Sequence, residues 1–378
     1  MKLGMFCHLL PAAALSLGLV GQSAAGTVKV GVITPLTGAG APWGMAAREA
    51  GEILAERINK AGGLEVGGEK HQVEIIAYDD QYKAAEAVAA YNRLVNQDGV
   101  KFVVISTSAS TMALKQQLED DQIVALTTAN TGAAIDEDTK FLFRLFSTTR
   151  EFMPAYARWI ADNYPDRRIV SLNPNDETGW DQVGVTTPAY KEAGFEVLAE
   201  ENYERAAKDF MPLLTKVIGL NPEIIDLGTS SPATAGLIVR QARELGYQGK
   251  FIQTGGAGWQ SVVDTAGKEA GDGLINVLYA DPDDPEYQAL TAAYRAEIGQ
   301  DPNEIIVSYY DGFNVLLEAI RKSGTIDDAA KVAESMPQVL PMQSLQGDEI
   351  TWKHQQLHTY DYIGVLTDGR PVVKDKIK

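Results

Sequence analysis

The chain has 378 residues, a formal net charge of −18 and a single cysteine, Cys7. So acidic a chain excludes polyanionic partners, and neither nucleic acid nor an anionic membrane surface is expected to bind it. Cys7 lies in a leader-like N-terminus, which leaves the rest of the chain without disulfide or thiolate chemistry.

Lys2 precedes an apolar stretch from Leu9 to Val20, and Ser23-Ala24-Ala25 follows. Small residues there suit signal peptidase, so residues 1–25 are expected to be a signal peptide cleaved after Ala25. The apolar run is too short to span a bilayer, and no other segment approaches that length. The remainder, roughly 350 residues, suggests two domains.

Val28 to Thr34 reads as a buried strand. Trp43 to Lys60 reads as a helix with Ala50, Ile53, Leu54 and Ile58 on one face, stopped by Ala61-Gly62-Gly63. Val73 to Tyr78 is the next strand and Ala84 to Asn96 the next helix. Phe102 to Ile105 and Ile123 to Leu126 bracket a third helix. The rhythm restarts near Ser147. Helices are expected at Arg150 to Asn163, Asp181 to Ala193, Asp209 to Ile218 and Ala233 to Leu245. Strands are expected at Arg168 to Leu172, Phe195 to Glu200, Glu223 to Leu227, Phe251 to Gln253 and Leu274 to Leu278. Two long helices, Tyr287 to Glu297 and Glu304 to Arg321, precede a strand-like end from Ile350 to Val373 with turns at Asp368-Gly369. Repeated βα alternation implies α/β architecture with parallel sheets covered on both faces. Two such units without a floppy linker suggest two lobes and a cleft.

Two strand ends carry the chemistry. Ile105 runs into Ser106-Thr107-Ser108-Ala109-Ser110-Thr111, and Leu126 into Thr127-Thr128-Ala129-Asn130-Thr131-Gly132. Hydroxyls and open backbone amides, with no adjacent His, Cys or carboxylate, grip an oxyanion without reacting with it. In open α/β sheets ligands sit at such carboxyl ends. No Gly-x-Ser-x-Gly elbow occurs. His354 and His358 are four apart in a strand-like context, too far apart for one metal. No Lys-Ser/Thr follows Gly255-Gly256-Ala257-Gly258, as a P-loop requires. Asp79-Asp80 suits turn and capping roles at a strand end. Tyr309-Tyr310-Asp311 suits core packing with a lobe-interface hydrogen bond. No enzyme activity, cofactor or metal is expected.

Several segments together resemble the leucine/isoleucine/valine-binding (type I) family of periplasmic solute-binding proteins of ABC importers. They are Val30-Gly31-Val32-Ile33-Thr34-Pro35-Leu36-Thr37-Gly38, Ile58-Asn59-Lys60-Ala61-Gly62-Gly63, Tyr78-Asp79-Asp80, the loop after Ile105, and Arg240-Gln241-Ala242-Arg243-Glu244-Leu245-Gly246. The resemblance spans nearly the whole chain after the signal. It implies two Rossmann-like lobes, 26–146 plus 276–349 and 147–275 plus 350–378, closing on one ligand. It implies a monomeric periplasmic protein that captures a small carboxylate and delivers it to an inner-membrane ABC permease, without inserting into the membrane. A ligand-sensing role for a signalling partner, or less readily a hydrolase, is the alternative.

The resemblance places the ligand carboxylate at Thr107 and Ser108; the alternative for Ser108 is an ordinary helix N-cap. It places further contacts at Ala129, Asn130 and Thr131, and the aromatic Trp43 over the ligand side chain. Closure is expected to add Trp180, Ser230 and the Gly256 loop. Two departures stand out. The family's second-lobe Tyr-Gly is Thr178-Gly179 here, followed by Trp180, which either supplies the lost aromatic surface or packs under the loop. The family's acid for a ligand ammonium is replaced by Gly256. Asp176, Glu177 or Asp181 is a candidate substitute; otherwise the ligand has no amine. Small residues at Ser230 and at Gly255 to Gly258 predict room for a bulky or aromatic ligand.

Overall fold

The computed structural model describes residues 26–256, 258–347 and 349–377. The signal peptide expected at 1–25 lies outside the described residues.

The first lobe opens with β1 (Thr27–Thr34), α1 (Ala41–Lys60), β2 (Leu64–Val66) and β3 (Glu69–Asp79). It continues through α2 (Ala84–Asn96), β4 (Phe102–Ile105), α3 (Ser108–Asp120), β5 (Val124–Thr127) and β6 (Leu142–Arg144). The chain then crosses to α4 (Thr149–Asn163), β7 (Arg168–Pro174), α5 (Glu177–Glu192), β8 (Glu196–Tyr203) and α6 (Met211–Ile218). After these come β9 (Ile224–Asp226), α7 (Pro232–Glu244), β10 (Lys250–Gln253), α8 (Trp259–Ala266), α9 (Lys268–Gly271) and β11 (Ile275–Leu278). A return supplies α10 (Pro285–Ile298), α11 (Ile306–Ser323), α12 (Ala329–Ser335), β12 (Met342–Gln343), β13 (Glu349–Lys353) and β14 (Gln356–His358). The last crossing leads to β15 (Asp361–Thr367) and β16 (Arg370–Ile377).

Nine strands form one sheet in the order β12-β13-β14-β6-β5-β4-β1-β3-β2, and seven form the other, β16-β15-β11-β10-β9-β7-β8. The central pairs are parallel, and antiparallel strands close every edge but one, where β8 pairs parallel with β7. Sheet membership moves two expected lobe limits. A boundary at 275/276 would cut through β11, which pairs with β10 in the second sheet. One at 349/350 would cut through β13, which with β14 belongs to the first sheet. The crossings therefore follow β11 and β14. The strand-like end has the expected turn at Asp368-Gly369, between β15 and β16, and a further one: His354 and Gln355, both at positive φ, turn β13 back into β14.

Apolar strands with no polar alternation are explained by burial on both faces. In β4, Phe102 and Val104 pack in one core with α1 and α11 residues, while Val103 and Ile105 pack in another with α2 and α3. Likewise β7 sends Val170 and Leu172 to one side of its sheet and Ile169 to the other.

The two lobes share a device at the cleft. A Cβ on Gly44 would stand 2.0 Å from the Pro35 carbonyl oxygen, and one on Gly179 would stand 1.9 Å from that of Pro174. Each glycine lets the first turn of a helix (α1 or α5) press on the end of the strand before it. The residues one step earlier, Trp43 and Thr178, are thereby fixed as equivalent cleft positions.

Candidate functional site

The cleft between the sheets is lined from the first lobe by Trp43, Tyr82, Ser106, Thr107, Ser108, Thr128, Asn130 and Ile305. Thr178, Thr229 and Gly256 line it from the second, and Phe146 and Tyr279 stand at the crossings. It encloses about 470 Å3 of space not filled by atoms, counting its mouth. No carboxylate is among these lining residues.

The α3 loop divides its labour. Thr107 caps the helix, its Oγ1 accepting from Ser110 N at 3.2 Å. Ser110 Oγ in turn donates to Asp80 Oδ2 at 2.6 Å. Ser108 is the first helical residue, and its Oγ accepts from Asn130 N at 3.2 Å and Thr131 N at 3.4 Å. That single hydroxyl ties the two Ser/Thr loops together. Behind them runs a buried hydroxyl ladder: Thr34 with Ser106 at 2.6 Å, and Thr128 with Tyr309 at 2.8 Å. Burial pushes the Tyr309 hydroxyl up to about 12, so it works as a neutral hydrogen-bonding group. The Tyr309 bond lies within the first lobe rather than between lobes. Asp79 and Asp80 do turn work, receiving the amides of Leu36 and Gln81, and of Tyr82. Tyr82, at φ 59, is thereby held in the left-handed region with its ring at the cleft.

The lobes touch across the cleft, so this is a closed arrangement. The Asn130 side chain donates to Thr149 Oγ1 at 3.0 Å and accepts from Thr149 N at 3.2 Å. Gly132 N donates to Asp181 Oδ2 at 3.0 Å. The Arg205 guanidinium stacks 4.6 Å from the centre of the Tyr82 ring. A second-lobe scaffold backs these contacts: Gln182 donates to Thr254 Oγ1 at 2.7 Å, and Thr254 Oγ1 donates to Asp226. Desolvation raises the Asp226 carboxyl to about 6.

A profile of the periplasmic binding protein family matches residues 27–370. A leucine-, isoleucine-, valine-, threonine- and alanine-binding protein of Pseudomonas aeruginosa is 32% identical over 320 residues, 83% of each chain. The chain belongs to the leucine/isoleucine/valine-binding family of type I periplasmic binding proteins. Among solved structures, a leucine-binding protein of Thermotoga maritima superposes with a TM-score of 0.81 at 23% identity, covering 93% of this chain and 99% of that one. A solute-binding protein of an ABC transporter from R. palustris, in complex with benzoate, gives a TM-score of 0.79 at 17% identity, covering 93% and 96%. The family consists of solute-binding proteins rather than enzymes, and this periplasmic binding protein binds a small ligand. Among the described residues, no helix is long and apolar enough to cross a membrane.

Of the residues expected at the site, the structure gathers Trp43, Thr107, Ser108, Asn130 and Gly256 on the cleft wall. Ala129 and Thr131 are buried behind it; the Thr131 carbonyl accepts from Arg144 at 2.6 Å. Two expectations are corrected. Trp180 is 59% exposed, its indole donating to Asn175 Oδ1 at 3.1 Å, so it neither covers the cleft nor packs under the loop. Two positions beyond Thr178 on α5, it points about 200° away around the helix. Ser230 is fully buried and bonds Tyr203 OH at 2.7 Å; its neighbour Thr229 takes the cleft position. Two of the three acidic candidates are engaged elsewhere, while Glu177 Oε1 is buried without a hydrogen-bond partner. Asp176 pairs with Arg205 at 2.5 Å and caps α5, and Asp181 pairs with Arg150 at 2.9 Å. Glu177 is not among the cleft-lining residues. Residues outside the expected set are Tyr82, Ser106, Thr128, Phe146, Thr178, Thr229, Tyr279 and Ile305. Thr178, in the Thr178-Gly179 pair, and Thr229, beside Ser230, lie within the loops that the sequence marks and could have been found there; the crossing residues carry no motif.

Proposed function

We propose that this protein is the extracytoplasmic substrate-binding component of an ABC importer, taking a small carboxylate in the cleft and presenting its closed form to a permease. The observation that carries this reading is the meeting of helix N-termini and hydroxyls without a carboxylate. Helices α3 and α5 begin at the cleft with Ser108 and Thr178, and Thr229 sits shortly before α7. The first amides of a helix lack intrahelical partners, and its positive end favours an anion. Thr178 Oγ1 and Thr229 Oγ1 are buried without hydrogen-bond partners, on the lobe facing Ser108. A ligand oxyanion held between Ser108 and these two hydroxyls would bridge the lobes. Trp43, Tyr82, Phe146 and Tyr279 supply aromatic walls for its carbon skeleton.

The relatives' names support amino acids, and the benzoate complex supports aromatic acids, as carboxylates to try. A thermal-shift screen over amino acids, aromatic acids and short dicarboxylates tests the reading. The true class raises Tm, because a ligand at about 100 times its Kd adds about 2.7 kcal/mol. Failure of every carboxylate to stabilise the protein, with turnover of any of them instead, overturns it.

A further inference from the structure

Behind the cleft lies a narrow second chamber, lined by Gln253, Gly255, Gly256, Asn276, Val277, Tyr279 and Glu304. Gly256 and Tyr279 line both spaces, so the chamber adjoins the cleft. Gly256 stands between the two spaces with no room for a side chain: a Cβ there would stand 3.2 Å from Trp43 Cζ2 and 2.8 Å from the Ser230 carbonyl oxygen.

The polar atoms of this chamber are buried and unmatched. Glu304 and Asn276 are each 2% exposed and Gln253 is 3% exposed. Both Glu304 carboxyl oxygens, both polar atoms of the Asn276 amide and Gln253 Oε1 have no hydrogen-bond partner. Gln253 Nε2 is spent on the Gly256 carbonyl, which leaves its Oε1 as the free end. With Glu304 ionised, its two oxygens, Asn276 Oδ1 and Gln253 Oε1 all accept, whereas the remaining side-chain donors of the lining are the Asn276 NH2 and the neutral Tyr279 hydroxyl. An unmatched buried acceptor costs about 1–3 kcal/mol, so such a cluster favours whatever brings N–H groups to it. An ammonium offers three N–H donors and a positive charge.

We propose that this chamber is a second subsite of the cleft, in which Glu304, with Asn276 and Gln253, receives the ammonium of an amino acid whose carboxylate is held at Ser108. The proposal rests on the carboxylate reading above and narrows it to amino acids. It moves the anion facing the ammonium from the Gly256 loop to the turn before α11. Burial drives the Glu304 carboxyl well above its usual range, opposed only by the Trp259 indole, which lies near it without closing a hydrogen bond of good geometry. The other titratable groups facing it are the Tyr279 and Tyr287 hydroxyls, which burial also raises and keeps neutral. Burial thus favours the protonated form of Glu304 in the free protein. An arriving ammonium favours its ionised form, so binding releases one proton to solvent and tightens as pH rises.

The test screens the mature protein against the common L-amino acids and their amine-free carboxylic counterparts. Each pair that contains a binder is then compared by calorimetry in phosphate and in Tris. The amino acid is expected to bind roughly 10-fold or more tightly than its amine-free partner. It is also expected to release a proton, seen as a buffer-dependent enthalpy. Glu304→Gln should remove both the preference and the proton release while leaving amine-free binding unchanged. Should that variant misfold, proton release by the wild type and the Asn276→Ala variant's loss of preference still decide the matter. Equal binding of both partners, absence of proton release, or a preference that survives in a folded Glu304→Gln protein overturns the proposal. If only amine-free carboxylates bind, this subsite falls and the carboxylate reading stands. If no carboxylate of either kind binds, both fall.

Discussion

Replacing Ser108 by alanine separates recognition from helix capping, because the cap of α3 belongs to Thr107. Ser108 Oγ accepts two amides, at 3.2 and 3.4 Å, which leaves its own proton for an oxyanion in the cleft. Ser108→Ala therefore has two separable costs. The amides of Asn130 and Thr131 lose a long partner, about 1 kcal/mol of stability in the free protein. The bound ligand loses a charge-assisted hydrogen bond of about 1.5–3 kcal/mol, roughly a 10- to 150-fold rise in Kd. Thr107→Ala should show the opposite balance: about 1 kcal/mol of stability through the lost cap, with little change in affinity. Calorimetric titration with the best carboxylate from the screen, alongside urea unfolding, reads both costs in both variants. Unchanged affinity in a folded Ser108→Ala protein refutes the assignment. So does a Thr107→Ala protein of wild-type stability that loses as much affinity as Ser108→Ala.

Three further perturbations probe the cleft and the buried carboxyls. Thr178→Val and Thr229→Val each delete a buried, unpartnered hydroxyl. Each is expected to leave the stability of the free protein unchanged or slightly higher and to cost about 1 kcal/mol of binding; two variants with wild-type Kd would remove these residues from the site. Gly256→Ala places a Cβ at φ +67 against the Ser230 carbonyl and the Trp43 ring of the other lobe. Urea unfolding should show a loss of about 1–2 kcal/mol, and titration a weaker ligand; wild-type affinity would show that the loop tolerates a side chain in the closed form. Stability should also depend on pH. Desolvation raises Asp226 and Asp311 to about 6 each, and drives Glu304 and Asp361 well above their usual values. A carboxyl raised in the folded state binds more protons there than in the unfolded chain. Its stabilising contribution is full below pH 4 and is lost as pH rises through 6, by at most about 3 kcal/mol for Asp226. Unfolding free energies in the ligand-free protein are thus expected to rise as pH falls from 7 to 5, and a flat or opposite trend would contradict it.

Strand and helix spacing in the sequence locates most of the fold, because β4 and β7 read as short apolar runs and their helices as amphipathic stretches. Strand β2 and helices α8, α9 and α12 escape that reading: they are short, and β2 has only three residues. Within the site, legibility follows geometry. Ser108 and Asn130 stand where a strand gives way to a helix or loop, and composition marks such places. Trp180 and Ser230 sit one or two positions from the cleft residues Thr178 and Thr229, and side-chain direction reverses over that distance. A chemically attractive side chain in the right loop can therefore face the wrong way. Phe146, Tyr279 and Ile305 come from the lobe crossings and the turn before α11, whose meeting only the tertiary fold creates.

The distribution of unmatched polar atoms also bears on how the lobes close. A ligand favours the closed form only through contacts that the open form lacks. Ser108 and Asn130 belong to the first lobe, whereas Thr178, Thr229, Gln253 and Asn276 belong to the second. Glu304 lies on the return segment that leads into α11 of the first lobe. In the proposed arrangement each charged end of an amino acid therefore meets both lobes: its carboxylate between Ser108 and the two threonines, its ammonium between Glu304 and the amides of Gln253 and Asn276. Either end alone would bring fewer cross-lobe bonds and shift closure less. An amine-free acid would bring Glu304 no cation and leave the chamber's acceptors unmatched. On this argument selectivity for amino acids and the drive to close have one source, and variants that lose the first should also lose part of the second.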